Sequence, residues 1–117
     1  MKSFLLAFLL FGCTSIVKPP LPSQLWPYSQ QMDAIHAQSN FLSNVYGQIV
    51  NQINIETYQI LQVLDVTRYY YLRGAEFLIS QGRFEEANVY IKQVRKILSE
   101  MAIIMKSEQE ELKKQGT

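Results

Sequence analysis

The sequence predicts an all-α protein, either a long antiparallel helical hairpin or a three-helix bundle. No proline follows Pro27 and the chain holds only 5 glycines, so few residues interrupt a helix. The strongest pattern is an apolar repeat at alternating intervals of three and four residues, which predicts a helix packed along its whole length. The members of this repeat are Phe84, Ala87, Ile91, Val94, Leu98, Met101, Met105 and Leu112.

A third stripe widens the apolar face of this helix. Tyr90, Ile97 and Ile104 lie on the same side as the repeat. A two-stranded coiled coil needs only a narrow seam, so the wide face predicts two neighbouring helices. The opposite face should be solvated, because it carries mixed charges: Glu85, Lys92, Arg95, Lys96, Lys106 and Glu110.

Residues 29–80 form either one long helix or two helices. Ser29 is the expected N-cap of the first, and Gly82 suits the left-handed conformation that ends a helix. Weak helix formers fill residues 51–56, where Asn54 could cap a new helix, so we place a break near 51–54. The expected core positions are Met32, Ile35, Leu42, Tyr46, Ile49, Ile53, Ile60, Leu64, Tyr71, Ala75 and Leu78.

Small and apolar residues occur at regular intervals on both sides of the Gly82 turn. They are Tyr71, Ala75, Leu78, Gly82, Phe84, Ala87, Ile91 and Val94. This spacing resembles a single tetratricopeptide-repeat helical hairpin. The resemblance implies that Ala75 and Ala87 let the two helices approach closely while Phe84 fills the joint. Gly74 and Ser99 depart from the pattern, and no second copy lies one repeat length of about 34 residues away. The resemblance therefore covers one hairpin.

The N-terminal residues have the layout of a secretory signal peptide, predicted over residues 1–12. Lys2 precedes an unbroken apolar run that ends at the small residue Gly12. That run is far shorter than the roughly 20 residues that a membrane-spanning helix needs. Leu10-Phe11-Gly12-Cys13 resembles the lipobox of bacterial lipoproteins, and Cys13 is the only cysteine. The resemblance implies cleavage between Gly12 and Cys13, a covalent lipid such as palmitate on Cys13, and no other cofactor.

Two other interpretations of this segment remain open. Cys13 could be an ordinary residue of the signal sequence, or the segment could be a short uncleaved anchor. Residues 13–28 are predicted to form a Pro-rich lipidated tether before an α-helical domain at 29–117, because prolines at 19, 20, 22 and 27 favour extended backbone. The same prolines could instead form a peptide that docks in a partner's groove.

Charge and residue types argue against several classes of function. The chain has 11 basic and 10 acidic residues, and removal of Lys2 with the signal peptide leaves no net charge. Nucleic acid is therefore not an expected partner, since it requires a basic surface. His36 is the only histidine, with no cysteine in the predicted domain to join it, so we expect no metal site. We also expect no enzyme, because no catalytic grouping is present.

Three consecutive tyrosines form the most unusual segment of the helical domain. Successive helical residues point about 100° apart, so Tyr69, Tyr70 and Tyr71 cannot all face one seam. Tyr71 fits the core stripe. Tyr69 and Tyr70, with Arg68 and Arg73 beside them, are candidate partner-binding residues, because tyrosine and arginine are enriched at interfaces. Alternatively, they cover the edges of the core.

These features together predict a membrane-anchored, non-catalytic envelope lipoprotein that acts as an assembly or adaptor factor, such as a pilotin-like accessory of a secretion or pilus system. The alternative is a self-assembling structural or surface-exclusion lipoprotein that packs through residues 84–112. The expected partners are the membrane, through the lipid, and a protein or a second copy, through the helices.

The residue after Cys13 bears on localisation. In lipoproteins of Gram-negative bacteria, aspartate there tends to retain the protein at the inner membrane. Thr14 occupies this position, so the resemblance implies the periplasmic face of the outer membrane. A Gram-positive source would place the protein on the outer face of the plasma membrane.

Overall fold

The computed structural model describes residues 20–116, and these residues form three α-helices with no strand. Helix α1 spans Pro22–Ile49, α2 spans Ile55–Ser80 and α3 spans Phe84–Gly116. The all-α prediction is confirmed, and of its two forms the three-helix bundle is the one observed. The predicted signal peptide, Gly12, Cys13 and residues 14–19 of the predicted tether lie outside the described residues.

Helix α3 is the centre of the bundle. Both α1 and α2 pack along it, whereas α1 and α2 meet each other at few points. The wide apolar face predicted for α3 therefore has the two neighbouring helices that it requires. The fully buried residues of this face are Ala87, Ile91, Val94, Ile97, Leu98, Met101 and Met105.

The turn between α2 and α3 is closed by backbone hydrogen bonds. Gly82 has a φ of 73°, which only glycine adopts without strain. The Gly82 N–H donates to the carbonyl of Ile79 at 3.0 Å, and the Arg83 N–H donates to that of Leu78 at 2.9 Å. This is the Schellman pattern, which satisfies the carbonyls at the end of α2.

Helices α2 and α3 approach each other closely next to this turn. Ala75 and Ala87 are both 0% exposed, so neither helix presents a bulky side chain at the crossing. Phe84 at the start of α3 stacks on Tyr28 of α1, with ring centroids 4.9 Å apart. A Cβ on Gly74 would come within 2.5 Å of the Tyr90 ring. Glycine at position 74 therefore makes room for this aromatic ring between α2 and α3.

The break predicted near residues 51–54 is present, and residues 29–80 belong to two helices. Helix α1 ends at Ile49 and α2 begins at Ile55. The Asn54 side chain accepts a hydrogen bond from the Thr57 backbone N–H at 2.8 Å. Asn54 thus caps α2, as expected from its place among weak helix formers.

The predicted start of the first helix is wrong. Helix α1 begins at Pro22 rather than after Ser29, so extended backbone is not observed over residues 22–28. Pro22 occupies the first helical position, where a backbone N–H has no intrahelical partner to lose. Leu25 and Tyr28 pack against the core, and this burial offsets the hydrogen bond that Pro27 cannot donate inside the helix.

The predicted core of α1 and α2 is right at most positions and wrong at Ile60. Ile60 is 52% exposed, whereas the adjacent Leu61 is only 2% exposed. Leu61, Leu72 and Ile79 lie on the side of α2 toward α1, so its buried face extends beyond the residues that the repeat selected. The buried residues outside the predicted set are Val45, Leu61, Leu72 and Ile79.

Candidate functional site

A groove separates α1 from α2, with α3 as its floor. The groove has a volume of about 410 Å³. It forms because α1 and α2 each pack on α3 but diverge from each other. Its apolar base contains Leu42 of α1, Leu61 and Leu72 of α2, and Leu98, Met101 and Met105 of α3. Such a base can receive apolar groups of a ligand.

The upper walls of the groove are polar. His36, Asn40 and Ser43 line the α1 side, and Gln62 and Asp65 line the α2 side. An apolar base with a polar rim is the usual composition of a binding groove, in which polar groups fix the orientation of the ligand.

An ion pair stiffens the α2 wall. The Arg68 guanidinium lies 3.0 Å from a carboxylate oxygen of Asp65, one turn earlier in the same helix. The Arg68 side chain is only 16% exposed, whereas that of Asp65 is 52% exposed. The pair therefore places a positive charge partly inside the groove and its negative counterpart at the rim.

One end of the groove is bridged by a hydrogen bond between side chains. The Gln62 amide donates to the Tyr46 hydroxyl at 3.0 Å, and this contact joins α2 to α1. The same end of the bundle is tied to α3 by a hydrogen bond of 3.2 Å from the Thr57 hydroxyl to the Glu108 carboxylate. These contacts fix the separation of the helices where the chain turns from α1 into α2.

Ser39 is the least satisfied polar group of the groove. Its hydroxyl oxygen is buried and has no hydrogen-bond partner among the described residues. An unpaired buried hydroxyl costs about 1–3 kcal/mol of stability. Ser39 also interrupts the apolar stripe of α1 and so brings a polar group into the bundle.

A second, smaller pocket also lies between α1 and α2, nearer the other end of the bundle. It has a volume of about 310 Å³. Leu25, Tyr28 and Met32 contribute from α1, and Glu76 and Ile79 contribute from α2. The surface between α1 and α2 therefore offers two successive depressions with apolar side chains in both.

The four candidate partner-binding residues do not form one patch. Arg68 and Tyr69 line the groove. Tyr70 and Arg73 are exposed and lie on the side of α2 that faces away from the groove. Tyr71 is half-buried, with its ring edge-on to Tyr90 at a centroid distance of 5.4 Å. Partner binding by Arg68, Tyr69, Tyr70 and Arg73 stays a prediction.

The groove contains His36 but no grouping of metal-ligating side chains. Among residues 20–116, no three His, Cys, Asp or Glu side chains come together as a metal site would require. Within the same residues, no helix has the length and apolar character to cross a membrane. The most specific property of the groove is its composition, an apolar base with a polar rim.

The comparisons with known proteins add no family to this description. No protein-family model matches the chain, and no curated protein or solved structure is detectably similar to it.

Proposed function

We propose that this protein is a membrane-anchored, non-catalytic adaptor of the bacterial envelope that binds an apolar segment of a partner protein in the α1–α2 groove. The lipobox-like Leu10-Phe11-Gly12-Cys13 supports the anchor, with the lipid on Cys13. Thr14 favours the periplasmic face of the outer membrane. A pilotin-like accessory of a secretion or pilus system is one protein of this kind.

The groove is the observation that carries the adaptor role. From His36 to Tyr46 it follows α1 for about 15 Å, or roughly three helical turns. This length suits a short amphipathic helix, whose apolar face enters a groove through residues one turn apart. Met101 and Met105 in the base have flexible thioether side chains, which adapt to the shape of an incoming side chain.

The structure leaves less surface for the self-assembling alternative. That alternative relied on the apolar stripe of residues 84–112 packing against other copies. The central residues of the stripe, from Ala87 to Met105, are buried against α1 and α2 of the same chain. An adaptor that uses the groove therefore fits the exposed surface of the molecule better.

The anchor is tested by replacing the cysteine. We expect wild-type protein from envelope membranes to begin at Cys13 and to carry acyl chains, detected by mass spectrometry. Cys13→Ser should move the protein into the soluble fraction, because stable anchoring requires the acyl chains. Recovery of an unmodified Cys13, or of a chain that still begins at Met1, would contradict the anchor.

The groove is tested by filling it without destabilising the bundle. Ser39→Leu removes the unpaired hydroxyl and places an apolar side chain in the groove, so the melting temperature should stay the same or rise. Partner capture should fall. A photo-crosslinker at Asn40 should also label one protein in the envelope, and the label should disappear in the Ser39→Leu background.

Ser99 supplies the matched control, because it is an exposed serine of α3 outside the groove. Ser99→Leu should leave capture unchanged, and a photo-crosslinker at Ser99 should not label the same protein. Full capture by a well-folded Ser39→Leu variant would exclude the groove as the binding surface.

A further inference from the structure

Helix α2 carries a second apolar face, on the side that faces away from α1 and α3. We define the outer seam as the residues that recur there at alternating intervals of three and four: Glu56, Gln59, Val63, Val66, Tyr70, Arg73 and Phe77. Four of them are apolar and strongly exposed, with values of 65% for Val63, 68% for Val66, 65% for Tyr70 and 58% for Phe77. This is the spacing of a coiled-coil seam, but no helix among the described residues packs on it.

We propose that the outer seam is the interface of a homodimer, in which α2 packs antiparallel against α2 of a second copy. The two-fold axis crosses the outer seam at the level of positions 64 and 65, midway between Val63 and Val66. Val63 then packs against Val66 of the second copy, and Tyr70 packs against Gln59 of the second copy. Each contact occurs twice, as two-fold symmetry requires.

The charges of the outer seam select this orientation. In the antiparallel pair, Arg73 of each copy lies opposite Glu56 of the other. A parallel pair would instead set Arg73 against Arg73 and Glu56 against Glu56, which like-charge repulsion disfavours. Both residues are exposed, and neither belongs to an ion pair among residues 20–116. Both are therefore accessible to a second copy.

The flanks of the outer seam are compatible with the same arrangement. On one side Ile60 meets Thr67 of the second copy, and on the other side Gln62 meets Tyr69. None of these side chains is charged. The dimer therefore brings no like charges together at its centre, where desolvation would make such a contact most costly.

The exposed apolar area is large enough for a dimer. Ile55 and Ile60 are also more than half exposed, at 65% and 52%. With Val63, Val66 and Tyr70 they expose roughly 600 Å² per copy, which approaches the about 800 Å² that each partner contributes to a standard interface. Phe77 is not counted, because this register places it opposite residue 52, before α2 begins. A monomer rarely leaves an apolar patch of this size in water.

The dimer does not require the proposed adaptor role. The outer seam faces away from the apolar base of the groove, so pairing leaves that base open, and only Gln62 and Tyr69 belong both to the rim of the groove and to the flank of the outer seam. Ser39→Leu should therefore leave dimerisation unchanged. Conversely, loss of dimerisation is no evidence against partner capture in the groove.

Sedimentation equilibrium of the full chain in mild detergent tests the interface. Wild type should be a dimer, and Val66→Lys should weaken dimerisation at least about tenfold, because it buries an unpaired charge in the seam. Val89→Lys is the matched control, since Val89 is 58% exposed on α3, outside the seam. A monomeric wild type at roughly 100 μM, or equal dimerisation of both variants, would overturn the proposal.

A charge swap tests the orientation without changing an apolar residue. Arg73→Glu and Glu56→Arg should each weaken the dimer by about tenfold, and the double variant should restore it. Helicity and melting temperature are measured alongside, so that a folding defect is not read as a binding defect. Two single variants without effect, or a double variant without recovery, would overturn the antiparallel register.

Disulfide crosslinking checks the same register directly. In a Cys13→Ser background, Gln59→Cys and Tyr70→Cys chains are mixed and oxidised. The antiparallel register predicts crosslinks between position 59 of one copy and position 70 of the other. Crosslinks of 59 to 59 and 70 to 70 would show a parallel pair instead and would overturn the proposal.

Discussion

Helices α2 and α3 differ in what lies opposite their buried face. The outer face of α3 is mostly charged, with Lys92, Lys96 and Lys106 exposed. The outer face of α2 is largely apolar, with Val63, Val66 and Phe77 exposed. An apolar repeat identifies a buried face only where the opposite face is polar. For this reason the buried residues of α3 were predicted correctly, whereas the set predicted for α2 included the exposed Ile60 and missed Leu61, Leu72 and Ile79.

The largest expected effect is the loss of a side chain from the centre of α3. Leu98 is 0% exposed and lies at the base of the groove, beside residues of both α1 and α2. Leu98→Ala should lower the free energy of unfolding by about 2–5 kcal/mol, through lost burial and the cavity left behind. Ile103 on the same helix is 67% exposed, so Ile103→Ala is the control and should change stability by less than about 0.5 kcal/mol. Thermal or denaturant unfolding measures both, and equal stabilities would contradict the assigned face of α3.

Adjacent residues of α2 give the most direct test of its buried face. Leu61→Ala should cost about 2–4 kcal/mol, because Leu61 is 2% exposed. Ile60→Ala should cost less than about 0.5 kcal/mol in the monomer, because Ile60 is 52% exposed. Denaturant unfolding at low protein concentration separates this monomer effect from any dimer. A larger loss of stability from Ile60→Ala than from Leu61→Ala would show that Ile60 is buried, as the repeat predicted.

A substitution at Gly74 tests the contact that joins α2 to α3. Gly74→Ala adds a Cβ within 2.5 Å of the Tyr90 ring, so the ring must move and stability should fall by about 1–3 kcal/mol. Gly47→Ala is the control, because a Cβ at Gly47 meets nothing within 4 Å. That change should be neutral or stabilising, since alanine favours helix over glycine by about 1 kcal/mol. A stabilised Gly74→Ala variant would show that Tyr90 does not depend on this space.

The three tyrosines should also respond unequally. Tyr71→Ala should cost about 1–3 kcal/mol, because Tyr71 is half-buried and its ring contacts Tyr90. At protein concentrations low enough to keep the chain monomeric, the double change Tyr69→Ala and Tyr70→Ala should leave the melting temperature nearly unchanged, since these side chains are 57% and 65% exposed. Partner capture should nevertheless fall, because Tyr69 lines the groove. A strongly destabilised double variant would mean that Tyr69 and Tyr70 cover the core edge instead.

The smallest expected effects are on the polar side of α3. Lys92→Ala and Lys106→Ala should each change stability by no more than roughly 0.5 kcal/mol, because both lysines are exposed. These variants give the baseline for the larger effects above. A loss of several kcal/mol at either position would mean that the solvated face of α3 has been assigned wrongly.

Most of the architecture follows from local sequence signals. The repeat of α3, the cap at Asn54 and the glycine at position 82 each act within a few residues, and each is found where the sequence predicts it. The start of α1 was not predictable in the same way. Prolines at positions 22 and 27 favour an extended chain locally, whereas burial of Leu25 and Tyr28 against the bundle favours a helix.

The candidate site also combines features that the sequence reveals with features that only the fold creates. The sequence by itself identified Arg68 and Tyr69 as candidate partner-binding residues, and it supplied the lipobox-like motif at Cys13. Only the tertiary structure placed Ser39, Arg68 and Tyr69 along one groove and separated them from Tyr70 and Arg73. The physical reason is that the groove exists between two helices that diverge on a third, and the angle between packed helices depends on side chains distant in sequence.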